Sequence, residues 1–457
     1  MFYRSVVLMC GLLLGECLWA EEPPVLTLSD AIQRALTHNI DLRQAQLQRT
    51  LDVYDISVTR EQLSPKWQWQ SQLNAWQNHP SQGTATTQTA AHTHLNMDYQ
   101  LPGGARVESQ VGDQGASLEV RQPLLKNRGR IIQEASVFFS EERNKLGQIQ
   151  LEQQKRTLIT QVILYYRQVQ QGTMQIAAQQ DLSEQAKQSL ARINARIEAG
   201  RTPENDRIQA EFEITHSLHG LTEAEQGLAR AKQELGWLIG LPVHSIYLVE
   251  PFHTETLTLQ PLNFYQAYAM AHHPDFQQLS VEASILNRER SLAENELKWD
   301  LNILGRVSFD TGLAGLSSSA TPESQYFAGI EFKVPFGQTK TRKQALFKNK
   351  VAHERLSMQY QKIEQQLLKN VAEAWQEVQS LKRQLTLSEQ SLELARASLE
   401  ATQQKFEAGR AASFELVAIQ QQLQQAELQH IHAQIAYQNS VVWLQYTSGM
   451  EGVNDAS

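Results

Sequence analysis

The sequence predicts a mainly α-helical protein with an antiparallel β portion, built from two copies of one structural unit. Three observations lead to this fold class. Long stretches without proline carry apolar residues at heptad spacings, shorter stretches alternate apolar and polar residues, and motifs of the first half recur in the second half. The length of 457 residues, with 41% hydrophobic and 20% charged, excludes a short disordered peptide.

The first element is an export signal at residues 1–20. Arg4 precedes an apolar run, and Ala20 precedes two glutamates, which is the layout of a secretory signal peptide. The run is too short for a membrane helix, which needs about 20 apolar residues. Both cysteines, Cys10 and Cys17, lie in this segment, so we expect no disulfides in the mature chain. The alternative to cleavage after Ala20 is that Cys17 is a lipidated N-terminus.

The charge and hydropathy of the rest of the chain narrow the class of protein further. The net charge is −8, from 41 basic and 49 acidic residues, so we expect no nucleic-acid partner. No other stretch approaches 18 consecutive apolar residues. If the exported chain enters a membrane, we therefore expect it to do so with β-strands.

The first unit opens with a helix, continues through a β-hairpin insertion, and returns along two longer helices. We predict these bounds: 21–242 for the unit, about 66–123 for the insertion, about 130–199 for the long helix and about 203–240 for the returning helix. The long helix would measure roughly 100 Å at about 1.5 Å per residue. Several shorter helices, broken at Gly147 and Gly172, are the alternative.

The second unit repeats this order after a linker at 243–261. We predict these bounds: 262–450 for the unit, about 300–336 for its β-hairpin, about 342–407 for its long helix, about 412–447 for its returning helix and 451–457 for a C-terminal tail. Heptad positions of its long helix are occupied by Val378, Leu381, Leu385, Leu392, Ala395, Leu399 and Phe406. This spacing predicts a coiled coil.

The duplication itself rests on matched motifs. The run Glu198-Ala199-Gly200-Arg201 returns as Glu407-Ala408-Gly409-Arg410, and Gly240 and Gly449 keep the same offset of 209. Near the start, Ala35, His38 and Asp41 match Ala269, His272 and Asp275. The offset shortens between these motifs, so the first copy carries an insertion of about 22 residues in its β portion.

The strand segments have one apolar and one polar face. In the first copy, Trp67, Trp69 and Leu73 alternate with glutamine and asparagine, and further strand-like residues follow at 106–111 and 117–122. Four main strands per chain are too few for a membrane barrel, which needs about eight, whereas three chains supplying twelve strands would suffice. A half-buried sheet of a soluble protein is the alternative.

Three groups of residues then occur in a characteristic order. They are the opening Leu26-Thr27-Leu28-Ser29-Asp30-Ala31, the junction Gln122-Pro123-Leu124-Leu125 running to Gly129-Arg130, and the duplicated Ala-Gly-Arg turns. In this order they resemble the TolC family of outer-membrane efflux proteins, from about residue 25 to residue 450. The resemblance implies internally duplicated coiled-coil hairpins that form an α-barrel, and β-hairpins that form a trimeric twelve-stranded β-barrel.

The resemblance also implies a location and partners. The location is the outer membrane of a Gram-negative bacterium, with a long periplasmic extension. The partners are two further copies of the chain, outer-membrane lipid, a periplasmic adaptor protein and, through the adaptor, an inner-membrane transporter. The implied function is the exit channel of a tripartite efflux pump or a type I secretion system. A soluble periplasmic coiled-coil scaffold without a pore is the alternative.

The duplicated turns hold the candidate functional residues. Gly200 and Gly409 suit left-handed C-caps of the long helices. In the family these turns form the periplasmic tip, so the resemblance makes both glycines, with Arg201 and Arg410, candidates for contact with the adaptor. Cationic residues are also expected at helix C-termini without any such role. Phe406 stands where some members carry a tyrosine of the gate.

Two acids follow the turns at equal distances. Counting six residues from each glycine carries the family's entrance acids onto Asp206 and Glu415, which three copies would turn into rings of negative charge. The alternative is an ordinary first-turn acid, which stabilises a helix N-terminus by about 0.3–1 kcal/mol. Ala418 stands where the family has a second acid, so we expect the gate to differ in detail.

Catalytic and cofactor motifs are not expected to contribute. The sequence has no phosphate-binding glycine loop, no Gly-x-Ser-x-Gly elbow and no cysteine beyond the export signal. Its histidines lack the spacing of a metal site, as His430 and His432 illustrate. We therefore expect no enzyme activity, no cofactor and no resident metal, and a third hypothesis, an envelope hydrolase, lacks a nucleophile.

Overall fold

The structure is a computed structural model. It describes residues 25–78, 86–113, 115–200, 203–242, 247–253, 259–310, 323–334, 337 and 339–450. The predicted export signal, the C-terminal tail and Arg201 lie outside the described residues.

Each sequence repeat contributes two opening helices, a long helix and a returning helix, and the first repeat adds one short helix. In the first unit they are α1 (Leu28–His38), α2 (Ile40–Glu61), a short α3 (Arg130–Gln133), α4 (Ala135–Glu198) and α5 (Asn205–Leu238). In the second unit they are α6 (Leu262–His272), α7 (Pro274–Glu296), α8 (Thr339–Glu407) and α9 (Ser413–Ser448). None of the helices that the structure describes combines the length and apolar composition needed to cross a membrane.

The strands fall into two sheets. They are β1 (Val25–Leu26), β2 (Lys66–Asn78), β3 (Thr86–Gln100), β4 (Arg106–Gly112), β5 (Gly115–Pro123), β6 (Leu248–Val249), β7 (Asp300–Asp310) and β8 (Glu323–Lys333). β1 pairs with β6 in parallel, and the other six form one antiparallel sheet in the order β2-β3-β4-β5-β7-β8. Long helices and an antiparallel sheet confirm the predicted fold class.

The long helix α4 is a single helix of 64 residues. It continues without a break through Gly147 and Gly172. Each of these glycines lies where another helix approaches α4 closely. A Cβ on Gly147 would lie 2.8 Å from Asp52 Oδ2 of α2, and one on Gly172 would lie 3.2 Å from the Cβ of Leu228 in α5. Glycine lets the neighbouring helix approach the α4 backbone at these two positions.

The number of strands corrects one prediction. Within the described residues the antiparallel sheet has six strands, whereas the sequence suggested four main ones. The difference is a second hairpin, β4–β5, which follows a turn at Gly104 with φ +99°. The turn is closed by the Leu101 N–H, which donates to Ala105 O at 2.7 Å. Residues 106–112 then pair with residues 115–121.

The described chain divides into two compact units, which cut across the sequence repeats. One comprises the residues up to Asn39 with Leu158–Leu257 and Gln379–Val441; the other comprises Ile40–Thr157, Thr258–Val378 and the residues from Val442 on. In the first, the Tyr166 hydroxyl donates to Leu26 O at 2.8 Å and accepts from the Glu250 N–H at 3.1 Å. Burial raises the pKa of Tyr166, so its hydroxyl keeps the proton that it donates.

The second compact unit contains the six-stranded sheet and a histidine that caps α7. His273 Nδ1 accepts from the Asp275 N–H at 3.4 Å, and burial lowers the pKa of His273. Its Cα lies 3.5 Å from where a Cβ on Gly449 would be. Gly449 has φ +79° and ends the chain's last described helix. The neutral imidazole is the form that can accept this hydrogen bond.

Candidate functional site

The first candidate site is the sheet, one face of which is predominantly apolar across all six strands. One row of directly paired residues on this face consists of Trp67, Met97, Ser109, Leu118, Val307 and Tyr326. The next row consists of Trp69, Leu95, Val111, Ala116, Phe309 and Ser324. The side chains are open to the surroundings: Trp69 is 75% exposed and Tyr326 74%. A continuous exposed apolar surface of this kind marks contact with another apolar phase or partner.

The opposite face carries charged residues. One of its rows consists of Lys66, Asp98, Glu108, Glu119, Arg306 and Phe327. The adjacent row adds Arg106 and Arg121, which pair with each other across β4 and β5. Apart from Phe327 and Leu304, the described side chains of these two rows are polar or charged. The sheet therefore separates an apolar side from a charged side.

The charges of this face are organised as ion pairs within and between strands. Arg106 Nη2 lies 2.8 Å from Asp98 Oδ2, and Arg106 Nε lies 2.9 Å from Glu108 Oε1. Glu119 Oε2 accepts from Arg306 Nε at 2.9 Å. Arg121 Nη1 lies 3.2 Å from Glu331 Oε2. Acids and bases alternate over short distances, which gives the face a strong local field without a large net charge.

The second candidate site is formed by the two turns. Gly200 has φ +68° and Gly409 has φ +71°, and both have open space where a Cβ would be. At Gly409 the Arg410 N–H donates to Lys405 O at 2.8 Å and the Gly409 N–H donates to Phe406 O at 3.0 Å. This is the Schellman arrangement of a helix C-terminus. Glycine is required here by the backbone conformation and not by lack of space.

The structure places Phe406 in the core of the first compact unit. The side chain is 4% exposed and packs with Ile193, Leu399 and Leu416. The guanidinium of Arg196 lies 3.9 Å above the ring centroid, and Arg196 Nη2 also donates to Phe406 O. This contact brings the last turn of α4 to the last turn of α8, so the structure unites the two turn regions that the sequence placed 209 residues apart.

Asp206 and Glu415 occupy the first turns of α5 and α9. Asp206 is half-buried and its N–H donates to Pro203 O at 3.2 Å, whereas Glu415 is exposed and its N–H donates to Ala412 O at 3.2 Å. Arg410 is exposed beside the second turn. A position at a helix N-terminus suits both a charge-ring role and an ordinary helix-stabilising role.

A buried acid near these turns was not predicted. Glu213 of α5 is 9% exposed, and its Oε2 accepts from Gln421 Nε2 of α9 at 2.7 Å. The signal is present in the sequence, because Glu213 lies three residues after Ala210 and four before Ser217, both buried. A charged residue inside an apolar heptad seam indicates a specific polar contact.

The described residues show no grouped set of metal ligands. Within them no three His, Cys, Asp or Glu side chains are grouped to hold a metal ion. A cavity of about 790 Å³ in the second compact unit is lined by His273, Asp275, Thr157 and Thr447, among others. Its hydroxyls are committed to the helices, since Thr157 donates to Gln153 O at 2.9 Å and Thr447 to Trp443 O at 2.8 Å.

The second half of the chain is similar to a known protein family. Residues 267–449 match the family described as outer membrane efflux protein. The predicted resemblance is thereby confirmed, and the predicted localisation agrees with the description of this family. No curated protein matches the chain in sequence.

Solved structures share the fold over nearly the whole chain. CusC, for which transmembrane channel formation is described, is 15% identical with a TM-score of 0.72, over 98% of this chain and 99% of that chain. The open state of the Neisseria gonorrhoeae MtrE outer membrane channel is 16% identical with a TM-score of 0.72, over 94% and 90%. The Campylobacter jejuni CmeC outer membrane channel is 15% identical with a TM-score of 0.67, over 94% and 87%.

Proposed function

We propose that this chain is the outer-membrane exit channel of a tripartite efflux pump or a type I secretion system. In this proposal the six-stranded sheet lies in the outer membrane of a Gram-negative bacterium and the long helices lie in the periplasm. Substrates pass from an inner-membrane transporter and a periplasmic adaptor through a homotrimer to the exterior. The match to the efflux family and the shared channel fold support this function.

The observation that carries the proposal is the two-faced sheet. Lipid would cover the face of Trp67, Trp69 and Tyr326, and water in the channel would cover the face of Arg106 and Glu119. Full removal of a large apolar side chain from water is worth about 1.5–3 kcal/mol. A soluble scaffold would leave this face and two open sheet edges in water, where both promote aggregation.

The turns would form the inner end of the channel. Three copies of Asp206 and of Glu415 would place two sets of carboxylates at the entrance, where they would favour cations and repel one another. Gly200, Arg201, Gly409 and Arg410 would then meet the adaptor. Phe406 acts in this proposal through the core, because its contact with Arg196 holds the ends of α4 and α8 together.

The mass and solubility of the purified protein test this function. We expect the mature chain to require detergent for extraction and to have the mass of three chains after subtraction of bound detergent. A control extraction with high salt in place of detergent should leave it in the membrane fraction. A protein that is monomeric and soluble without detergent would instead be the periplasmic scaffold.

A further inference from the structure

The sheet has two outer edges. Within the part of the chain that the structure describes, β2 pairs only with β3, and β8 pairs only with β7. An unpaired backbone N–H or C=O in hydrocarbon costs several kcal/mol, so a sheet in a membrane must close on itself or on another sheet. The following inference rests on the proposed function, because only a sheet in the membrane is subject to this requirement.

The strand number limits how the sheet can close. The described part of one chain supplies six strands to this sheet, and bacterial outer-membrane barrels have even numbers from about eight upward. One copy is therefore too small, two copies would supply twelve strands and three would supply eighteen. The twelve strands implied by the family resemblance correspond to four per chain in a trimer. This chain differs from that pattern by the hairpin β4–β5.

The hairpin is part of the wall. β4 pairs with β3 on one side and β5 on the other, and β5 pairs with β7 over Gly115–Pro123. β3 and β7 are consequently not neighbours, and removal of the hairpin would leave a gap between them. The hairpin also follows the two-faced pattern, with Val107 and Leu118 on the apolar face and Glu108 and Glu119 on the charged face.

The two edges fit each other. Adjacent strands alternate in direction across the whole sheet, so the first and last of six strands are antiparallel, and β8 of one copy beside β2 of another continues the alternation. The apolar residues of both edges lie on the same face of the sheet. They are also among the most exposed apolar side chains, with Trp69 at 75%, Leu73 at 77% and Ile330 at 74%. A neighbouring copy would cover part of this surface.

We propose that three copies close an eighteen-stranded barrel, in which β8 of each copy pairs with β2 of the next. The diameter of a barrel grows roughly linearly with strand number, so the exit would be about 1.5 times as wide as that of a twelve-stranded barrel. Its cross-section would be about 2.2 times as large. The charged rows would line this wider opening in three copies.

Disulfide crosslinking between the edges tests the pairing. The polar positions Gln68, Gln70 and Gln72 of β2 are each changed to cysteine together with Gln325→Cys of β8, in the full-length protein in its native membrane. The chain carries no cysteine beyond Cys17, so background thiols do not interfere. On oxidation, at least one pair should yield covalent dimers and trimers. Trp69→Cys with Gln325→Cys is the control, because these side chains lie on opposite faces and should not react.

The product sizes distinguish the possible closures. Covalent trimers mean that three six-stranded copies form one wall. Dimers without trimers would mean two copies and twelve strands, and no product at any of the three positions would mean that these edges do not meet. Either of the latter two results overturns the proposal.

Thiol labelling of the hairpin tests the strand count separately. Single cysteines at Gln110 and Ser117 should react with a membrane-impermeant maleimide, whereas those at Val111 and Leu118 should be protected by lipid. Leu95→Cys and Asn96→Cys of β3 provide the matched lipid-facing and water-facing controls. Labelling of all four hairpin positions would place β4 and β5 outside the wall and leave four strands per chain. If the unaltered protein conducts ions in a bilayer but the hairpin cysteine variants show that labelling, only this inference fails. If the unaltered protein does not conduct, the proposed function fails.

Discussion

Two adjacent residues of β7 lie on opposite faces of the sheet, one of which the proposed function assigns to lipid and the other to water. Val307 lies on the apolar face, paired with Leu118 and Tyr326, and Ser308 lies on the charged face, paired with Ser117 and Gln325. We predict that Val307→Lys strongly destabilises the membrane-inserted protein and that Ser308→Lys does not. The two variants add the same side chain at neighbouring positions of one strand, so each is the control for the other.

The expected magnitudes follow from the position of the lysine. A lysine on the lipid face near the middle of a barrel strand costs about 2–4 kcal/mol. Since each 1.4 kcal/mol is a factor of ten, the folded fraction relative to the unfolded one should fall about 30- to 700-fold per chain. On the charged face, a surface substitution typically changes stability by less than about 0.5 kcal/mol.

Urea-induced unfolding of the protein in lipid vesicles measures this difference. Tryptophan fluorescence reports the unfolding, and Trp67 and Trp69 of the same sheet contribute to it. Val307→Lys should lower the unfolding midpoint well below that of the unaltered protein, and Ser308→Lys should leave it nearly unchanged. Equal losses in both variants, or a larger loss for Ser308→Lys, would refute the assignment of the two faces.

Three further predictions concern the turns and a partly buried histidine. Asp206→Ala and Glu415→Ala should lower the cation selectivity of the channel or ease its opening in bilayer recordings, because each removes carboxylates from the proposed entrance. Unchanged selectivity and conductance in both variants would exclude these two residues from the gate. Gly409→Ala should lower stability by about 1–2 kcal/mol in thermal unfolding, because φ is +71° there, whereas Gly227→Ala, in a helix interior with open space, should be neutral or stabilising. The pKa of His273 lies below its ordinary value of 6.5, so the unfolded chain binds more protons than the folded chain as the pH falls below about 6.5, and the free energy of unfolding drops in that range. His273→Gln should make the free energy of unfolding less dependent on pH below about 6.5. The same pH dependence in the variant and the unaltered protein would contradict this prediction.

The helices are more predictable from the sequence than the sheet, for a physical reason. Heptad spacing and absence of proline act locally, so they anticipate α4 even through Gly147 and Gly172. Alternation in a strand is also local, so it predicts which side chains share a face. The pairing of β5 with β7 joins residues about 190 positions apart, and no local pattern encodes it. The sequence therefore anticipates the two faces but not the six-stranded order.

The candidate site could likewise be predicted only where local sequence determines it. The left-handed glycines at 200 and 409 follow from the local requirement of a helix C-cap. The burial of Phe406 beneath Arg196 depends on contact between the two repeats, which only the folded chain displays. The pair of Glu213 and Gln421 likewise joins α5 to α9, although a charged residue in the α5 seam was visible beforehand.

The proposal that this chain forms a channel is tested most directly by single-channel conductance of the detergent-purified mature protein in a planar lipid bilayer. We predict cation-selective current steps that appear only with the trimeric fraction and that change when Asp206 or Glu415 is replaced. Failure of the trimeric fraction to insert and conduct under any voltage or salt condition would contradict it. That result would favour a scaffold whose apolar sheet face is covered by another protein.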